Sequence, residues 1–345
     1  MPKFWIISDT HFGVRNNSKK WEDLVRGWAD NFLYPLFGRE VSPDDVLVHC
    51  GDVFDNRQSV GLSAMSFCID FFEKLSGYFS GIWVLCGNHD AYYTSKNDIT
   101  SVDCLKHIPG VRVVKEPVTA NIFGKTVRFV PWTENPADFD TSDGPLPDIL
   151  FCHAEFGGCV MNASGAKSES RLRAPDISRI YTGHIHHCQK RGRVTFVGSP
   201  YQLTQNDRNN RKCVYAYDPE NDKEYAYPNT FSPEFIRMKY ENISGIPLGE
   251  FRDLCRNRFV EIAADPALAA RCRFQKLASL AAEGDPVTDI TFIPSGENSS
   301  ASKCINISEC ASVSEMLDRY IDEAVICDAK TKESVRAISK KLIHG

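Results

Sequence analysis

The sequence predicts an α/β protein built on a parallel sheet, and three observations carry that expectation. Over the first ninety residues, apolar runs of strand length alternate with longer stretches of helical periodicity. Each run ends abruptly in a cluster of polar side chains. From about residue 111 the runs shorten and crowd together, as in a sheet built from hairpins.

The first run, Phe4-Trp5-Ile6-Ile7-Ser8, closes on Asp9-Thr10-His11. Residues i and i+2 of an extended segment share a face, so Asp9 and His11 are expected to point the same way. Residues 19–37 place Trp21, Leu24, Val25, Trp28, Phe32 and Leu33 at the spacing of a helix packed on a sheet. Val46 to Cys50 is a second strand, ending in Gly51-Asp52-Val53-Phe54-Asp55, and a helix is expected around 60–79. A third strand, Ile82 to Cys86, runs into Gly87-Asn88-His89-Asp90, where glycine permits a sharp turn. This βαβαβ order collects polar strand ends along one edge, where open α/β sheets take their ligands.

Further strands are expected over 111–114, 121–123 and 125–131, with a turn at Gly124. Ile149 to Cys152 leads into His153-Ala154-Glu155, and a Gly-, Ser- and Ala-rich loop over 156–170 reads as mobile. Arg179 to Thr182 ends in Gly183-His184-Ile185-His186-His187; the two-residue period puts His184 and His186 on one face and His187 on the other. Strands over 194–197, 213–217 and 224–227 continue the sheet, the last two joined by a turn at Asp218 to Asp222. A boundary falls near Pro228 to Pro233. Beyond it lie a strand from Phe235 to Tyr240 and a basic cluster of Arg252, Arg256, Arg258, Arg271, Arg273 and Lys276, read either as a solvated helix face or as a DNA contact. A strand over 289–293 follows, and the tail carries two amphipathic stripes, the first opened by a capping box at Ser312-x-x-Glu315.

A chain of 345 residues exceeds what one core usually supports, so one large domain and something smaller are expected. No apolar run approaches the roughly 20 residues needed to span a bilayer. Met1-Pro2-Lys3-Phe4 passes straight into a strand, which leaves no room for a signal peptide. Thirteen cysteines, odd in number and lacking a C-x-x-C pair, fit a reducing cytoplasm better than a disulfide framework. A net charge of −5 argues against coating nucleic acid by bulk electrostatics but permits a local basic patch or bound cations.

Collected, the strand ends supply Asp9, His11, Asp52, Asn88, His153, His184 and His186. Seven oxygen and nitrogen donors suit two divalent ions of intermediate hardness, Mn²⁺ or Fe²⁺, where a single zinc needs three or four ligands. Two such ions about 3.5–4 Å apart clamp a phosphoryl group for in-line displacement. Asp52 is placed to bridge them, and His89, oriented by Asp90 or Asp55, is the candidate proton donor.

The series Asp9-x-His11, Gly51-Asp52-x-x-Asp55, Gly87-Asn88-His89-Asp90, Cys152-His153 and Gly183-His184-x-His186 resembles the calcineurin-like metallophosphoesterases over residues 1 to about 200. Asp9-Thr10-His11-Phe12-Gly13, Val130-Pro131-Trp132-Thr133-Glu134-Asn135 and Val197-Gly198-Ser199-Pro200-Tyr201-Gln202-Leu203-Thr204 make it similar, within that family, to the nuclease subunit of SbcCD-type DNA-repair complexes and its phage recombination versions. The resemblance implies a two-sheet sandwich flanked by helices. It implies a nuclease domain over 1–232, a small α+β capping and DNA-recognition domain over 233–305, and C-terminal helices over 306–345 that dock an ABC-type ATPase. Asp9, His11 and His186 would hold one Mn²⁺ and Asn88, His153 and His184 the other, with Asp52 between, His89 as the catalytic histidine, and Fe²⁺ or Mg²⁺ as substitutes. The implied activity is exonuclease on double-stranded DNA ends and endonuclease on single strands, in a cytoplasmic homodimer of a bacterial cell or phage-infected host.

Some relatives carry histidine at the position of Asp55. A small-substrate or cyclic-nucleotide phosphodiesterase on the same fold is the nearest alternative. A metal-free scaffold of this fold would have eroded ligands, and all seven are present.

Overall fold

The computed structural model describes residues 1–139, 146–265 and 288–294, together with the single positions Glu333 and Arg336. β1 (Phe4–Ile7) has no polar side chain, and burial of both its faces sets up the layers of the molecule. Phe4 and Ile6 face a core shared between two six-stranded sheets, whereas Trp5 and Ile7 face a second core under the helices. In the first sheet β1, β2 (Val46–His49), β3 (Gly81–Leu85) and β4 (Val111–Val114) run parallel. The second sheet is ordered β5 (Val118–Ile122), β6 (Lys125–Val130), β7 (Ile149–His153), β8 (Arg179–Gly183), β10 (Val194–Phe196), β9 (Gln189–Arg191), with antiparallel pairing only at its two edges. β11 (Cys213–Asp218) and β12 (Lys223–Pro228) return to the first sheet and pair antiparallel beyond β1. Between the sheets Trp83 lies flat on Phe129, ring centroids 4.2 Å apart, a pairing that adds about 0.5–1.5 kcal/mol to the area it buries.

The helix expected over 19–37 is not one helix. Lys19–Trp28 gives way to a π turn over Ala29–Leu33, in which the Tyr34 N–H reaches Ala29 O, and the chain continues as Tyr34–Glu40. Pro35 has no N–H to offer a carbonyl four residues back, and the widened turn absorbs that loss. The helix expected near 60–79 is Leu62–Ser76. β4 belongs to the first sheet, so the change of pattern falls after residue 114. β9 was not foreseen, because three exposed or half-buried polar residues carry no periodicity. The loop over 156–170 is tied down: Gly157 N–H donates to Leu172 O (3.0 Å) and Gly158 N–H to Ser168 O (2.9 Å).

A third sheet of β13 (Glu234–Lys239), β14 (Arg258–Ala264) and β15 (Asp289–Pro294) is entirely parallel, with the helix Leu248–Cys255 between β13 and β14. Trp21 stacks on Phe259 at 5.2 Å with 7° between planes, joining this sheet to the helical layer. The basic cluster is not one helix face. Arg252 lies on the helix, Arg256 follows its end and pairs with Asp253 (3.2 Å), and Arg258 opens β14, where it donates to Leu254 O (2.8 Å) and faces Glu234 (3.7 Å). Arg271, Arg273, Lys276 and the helices expected over 306–345, Glu333 and Arg336 apart, lie outside the described residues. Among the described residues nine cysteines are free, and no helix is long and apolar enough to cross a membrane.

Asp45 braces the entry to the parallel strands. Buried at 1% exposure, it accepts from Lys3 N (2.8 Å), Trp5 Nε1 (2.8 Å) and Ser42 N (3.1 Å). Asp45→Ala strands the fully buried indole donor of Trp5, and urea unfolding is expected to show a loss of about 2–4 kcal/mol. Asp45→Asn, which keeps an acceptor, should lose less; equal losses would contradict this account.

Candidate metal centre

The polar residues gather where β1, β2, β3, β7 and β8 end. Four of them leave the strands through left-handed backbone: Asp9 (φ 51°), His11 (φ 46°), Asp52 (φ 55°) and His184 (φ 76°). Side chains other than glycine resist this region at a cost of about 1–2 kcal/mol each, and such strain concentrates at functional sites. It also overturns the two-residue argument. β1 ends at Ile7 and β8 at Gly183, so neither Asp9 and His11 nor His184 and His186 sit on an extended segment. Asp9 and His11 do come together, but through kinks, while His184 and His186 go to different groups.

Two motif glycines are needed for space. A Cβ on Gly87 would overlap the carboxylate and backbone nitrogen of Asp52. One on Gly183 would overlap Ser8 Oγ, Cys50 O and His153 Nδ1. The sheets can meet this closely only where those side chains are missing.

Asp9, His11 and His186 offer ligand atoms within 4.8 Å of one another, and so do Asp52, His153 and His184. His11 Nε2 faces His186 Nε2 at 3.0 Å. Asn88 Oδ1 completes the second group, 3.0 Å from His153 Nε2 and 2.8 Å from His184 Nδ1. Asp52 Oδ2 lies between the groups, 3.8 Å from His11 Nε2 and 3.4 Å from His153 Nε2. All seven expected donors are thus in one place. Asp55 adds a third grouping with His11 and His89.

This donor set fits divalent cations. Ring nitrogens converge on one another and on a carboxylate, and Asp9 Oδ2 is buried without a hydrogen-bond partner. The far ring nitrogens are held as ligand imidazoles usually are. His153 Nδ1 has a carbonyl opposite it, Cys50 O at 2.7 Å, so it donates there and Nε2 is the nitrogen turned to Asn88 and Asp52. His184 Nε2 stands 3.6 Å from Glu155 Oε2, and His11 Nδ1 3.3 Å from Asp55 Oδ1.

The ionisable groups of the site act strongly on one another. Burial works to raise Asp52, but the His153 imidazole, with His11 and His89, outweighs it and holds the carboxyl far below the usual range. Burial pulls His153 down, and Asp52 overrides it, bringing the imidazole to about 9. Burial and then the facing His11 push His186 down to about 4, which favours the neutral ring.

His89 Nδ1 donates to Asp55 O at 2.6 Å, and His89 N–H to Asp52 Oδ1 at 2.8 Å. Of the two residues expected to orient this ring, Asp55 holds it through its backbone carbonyl, and the Asp90 carboxylate is turned elsewhere. Asp90 is buried and its oxygens accept from Val53 N, Phe54 N, Gly87 N and Ser101 Oγ, bracing the loop ends. Burial, then Asp52, lifts Asp90 to about 7. Asp55 acts on His89 through its backbone carbonyl, and its carboxylate turns to His11.

Three residues near the site escaped the sequence reading. Glu155 was visible beside His153 but had no assigned task. Trp132 stacks on His184, centroids 5.0 Å apart, and its N–H donates to Cys86 O (2.8 Å), pinning one sheet to the other. His49 is a structural histidine: Gly51 N–H donates to its Nδ1 (3.3 Å), Thr10 Oγ1 lies 3.1 Å from Nε2, and burial holds it at about 3. His187 sits apart, with Nε2 3.2 Å from Asn206 O.

A family model described as calcineurin-like phosphoesterase matches residues 2–188. Exonuclease subunit 1 of Enterobacteria phage T4 is 27% identical over 237 residues, covering 66% of this chain and 68% of that protein. The putative phosphoesterase 078R of Invertebrate iridescent virus 3 is 26% identical over 260 residues, covering 72% of this chain and 71% of that protein. A solved archaeal phosphodiesterase aligns with a TM-score of 0.37 and 15% identity over 66% of this chain and 99% of its own.

Gly183→Ala should disturb His153 and weaken Mn²⁺ binding, measured by titration calorimetry, by at least about tenfold with the far-UV dichroism retained. Gly249→Ala, where a Cβ meets nothing within 4 Å, serves as the control. Equal affinities in the two variants would contradict the close-packed geometry.

Proposed function

The chain belongs to the calcineurin-like phosphoesterases, and from that premise we propose that it is a two-metal DNA nuclease. In this reading it is an exonuclease on double-stranded ends and an endonuclease on single strands, serving end processing, recombination and repair. The observation that carries the proposal is Asp52 Oδ2, set 3.8 Å and 3.4 Å from a histidine of each group. Asp9, His11 and His186 would hold one Mn²⁺ and Asn88, His153 and His184 the other, with Asp52 facing both groups. Bound there, the cations supply Lewis acidity that activates water and neutralises charge growing on the phosphate.

The chain's own groups do the rest. His89 donates its Nδ1–H to Asp55 O, and with a second proton on Nε2 it can give that one to the departing sugar oxygen, leaving the neutral ring. Asp52 holds the His89 backbone with one oxygen while the other faces the metal groups, so bridge and proton donor keep a fixed spacing. Asp90 and Asp55 are positioning residues. Kinship with a phage exonuclease subunit supports a nucleic-acid substrate and a partner subunit. We place the nuclease domain at 1–232, the capping domain with Arg252, Arg256, Arg258, Arg271, Arg273 and Lys276 at 233–305, and the docking helices for an ABC-type ATPase at 306–345. The active form is a homodimer.

With Mn²⁺, the protein should degrade blunt duplex DNA faster than a small aryl phosphodiester; cleavage of the ester with DNA untouched would overturn the reading. His89→Gln should slow DNA cleavage by about 10²–10⁴-fold with metal content retained. His184→Ala should lose about one of the two ions, read by elemental analysis. If both variants carry the same metal complement, the division of roles is wrong.

A further inference from the structure

Beyond the metal centre, the outer face of the second sheet bears a cleft of about 850 Å³. Its floor is apolar, with Phe156, Val194 and Phe196, and its walls carry Arg171, Arg173, Arg191 and Arg193. Four exposed arginines around one cleft stand out on a chain of net charge −5. Their spacing has a structural cause. The Leu172 carbonyl takes the Gly157 N–H and its side chain packs on the core, which turns Arg171 and Arg173 outward on either side. Arg191 and Arg193 flank Gly192 in the turn between β9 and β10.

The two pairs differ in how they are held. Arg191 Nη1 donates to Gly157 O (2.6 Å) and Arg193 pairs with Asp176, so both are fixed as walls. Arg171 and Arg173 make no ion pair or hydrogen bond among the described residues. Guanidinium groups left uncompensated and fully charged are matched to phosphate, which they take in bidentate fashion. The position suits a chain of phosphates. Val194 and Phe196 of the cleft pair with Ile180 and Thr182 of β8, the strand that runs out into His184, so the cleft and the metal centre share that strand.

We propose that the arginine-walled cleft binds the phosphate backbone of the polynucleotide arm flanking the scissile bond, with Arg171 and Arg173 as its contact residues. The inference rests on the nuclease reading above. It adds a site that is lined neither by a metal ligand nor by Arg252, Arg256 or Arg258.

Binding of a labelled duplex with phosphorothioate linkages, followed by anisotropy across a salt series on the full chain, tests it. Each phosphate contact contributes about 0.9 to the slope of log K against log salt. Arg171→Ala/Arg173→Ala should flatten the slope by about 2. Lys19→Ala/Lys223→Ala, which removes equal charge from another part of the surface, should keep the wild-type slope. Identical slopes in the two double variants overturn the inference; if the wild type still cuts duplex DNA, the nuclease reading survives. A wild type that neither binds nor cuts DNA brings down both. Loss of polyglutamate binding in the arginine variant with an unaltered duplex slope assigns the cleft to an acidic protein partner and also overturns it.

Discussion

A carboxylate with almost no solvent, flanked by a histidine on either side, is the constraint around which the rest of the molecule is arranged. Asp52 is 1% exposed, and an isolated charge at that depth is far too costly to maintain. Its negative charge persists because imidazoles from both sheets press against it. That arrangement needs the kinked strand ends, the missing side chains at Gly87 and Gly183, and the tether from His153 Nδ1 to Cys50 O. The two sheets are held apart by stacked rings such as Trp83 and Phe129 and pinned together at Trp132, so the rim has the stiffness that cation ligands need.

Much of this was legible in the sequence, for a physical reason. Donor residues at the ends of apolar runs are a one-dimensional trace of a rim, and a parallel sheet brings such ends together whatever the sequence distance between them. Asp9 and His184 are 175 residues apart, and the Asp9 carboxylate accepts the His184 backbone N–H at 3.1 Å. What failed was the local geometry. Period-two reasoning assumes an extended backbone, and positive φ at Asp9, His11, Asp52 and His184 breaks that assumption at the very residues that matter. Asp90 and His89 are adjacent in sequence, yet the carboxylate serves loop ends contributed by Val53 and Phe54, an assignment that depends on the turn and not on adjacency.

Elsewhere the lost information has other causes. β9 is short and polar, and its edge position asks nothing of its side chains. Arg258 looked like part of a helical charge cluster because β14 alternates imperfectly, and its strand character comes from pairing with β13 and β15. The arginines around the cleft on the second sheet lie in two segments about twenty residues apart, and only the fold unites them. In the proposed reading, an acidic chain grips a polyanion without a basic surface overall, by concentrating guanidinium groups along one path and cations at its end.

The account's central claim is that two cations share Asp52. Anomalous diffraction from manganese-soaked crystals addresses it directly. Two peaks about 3.5–4 Å apart with a single Asp52 oxygen between them are the predicted result. One peak, or a pair too far apart for that oxygen to touch both, would contradict it.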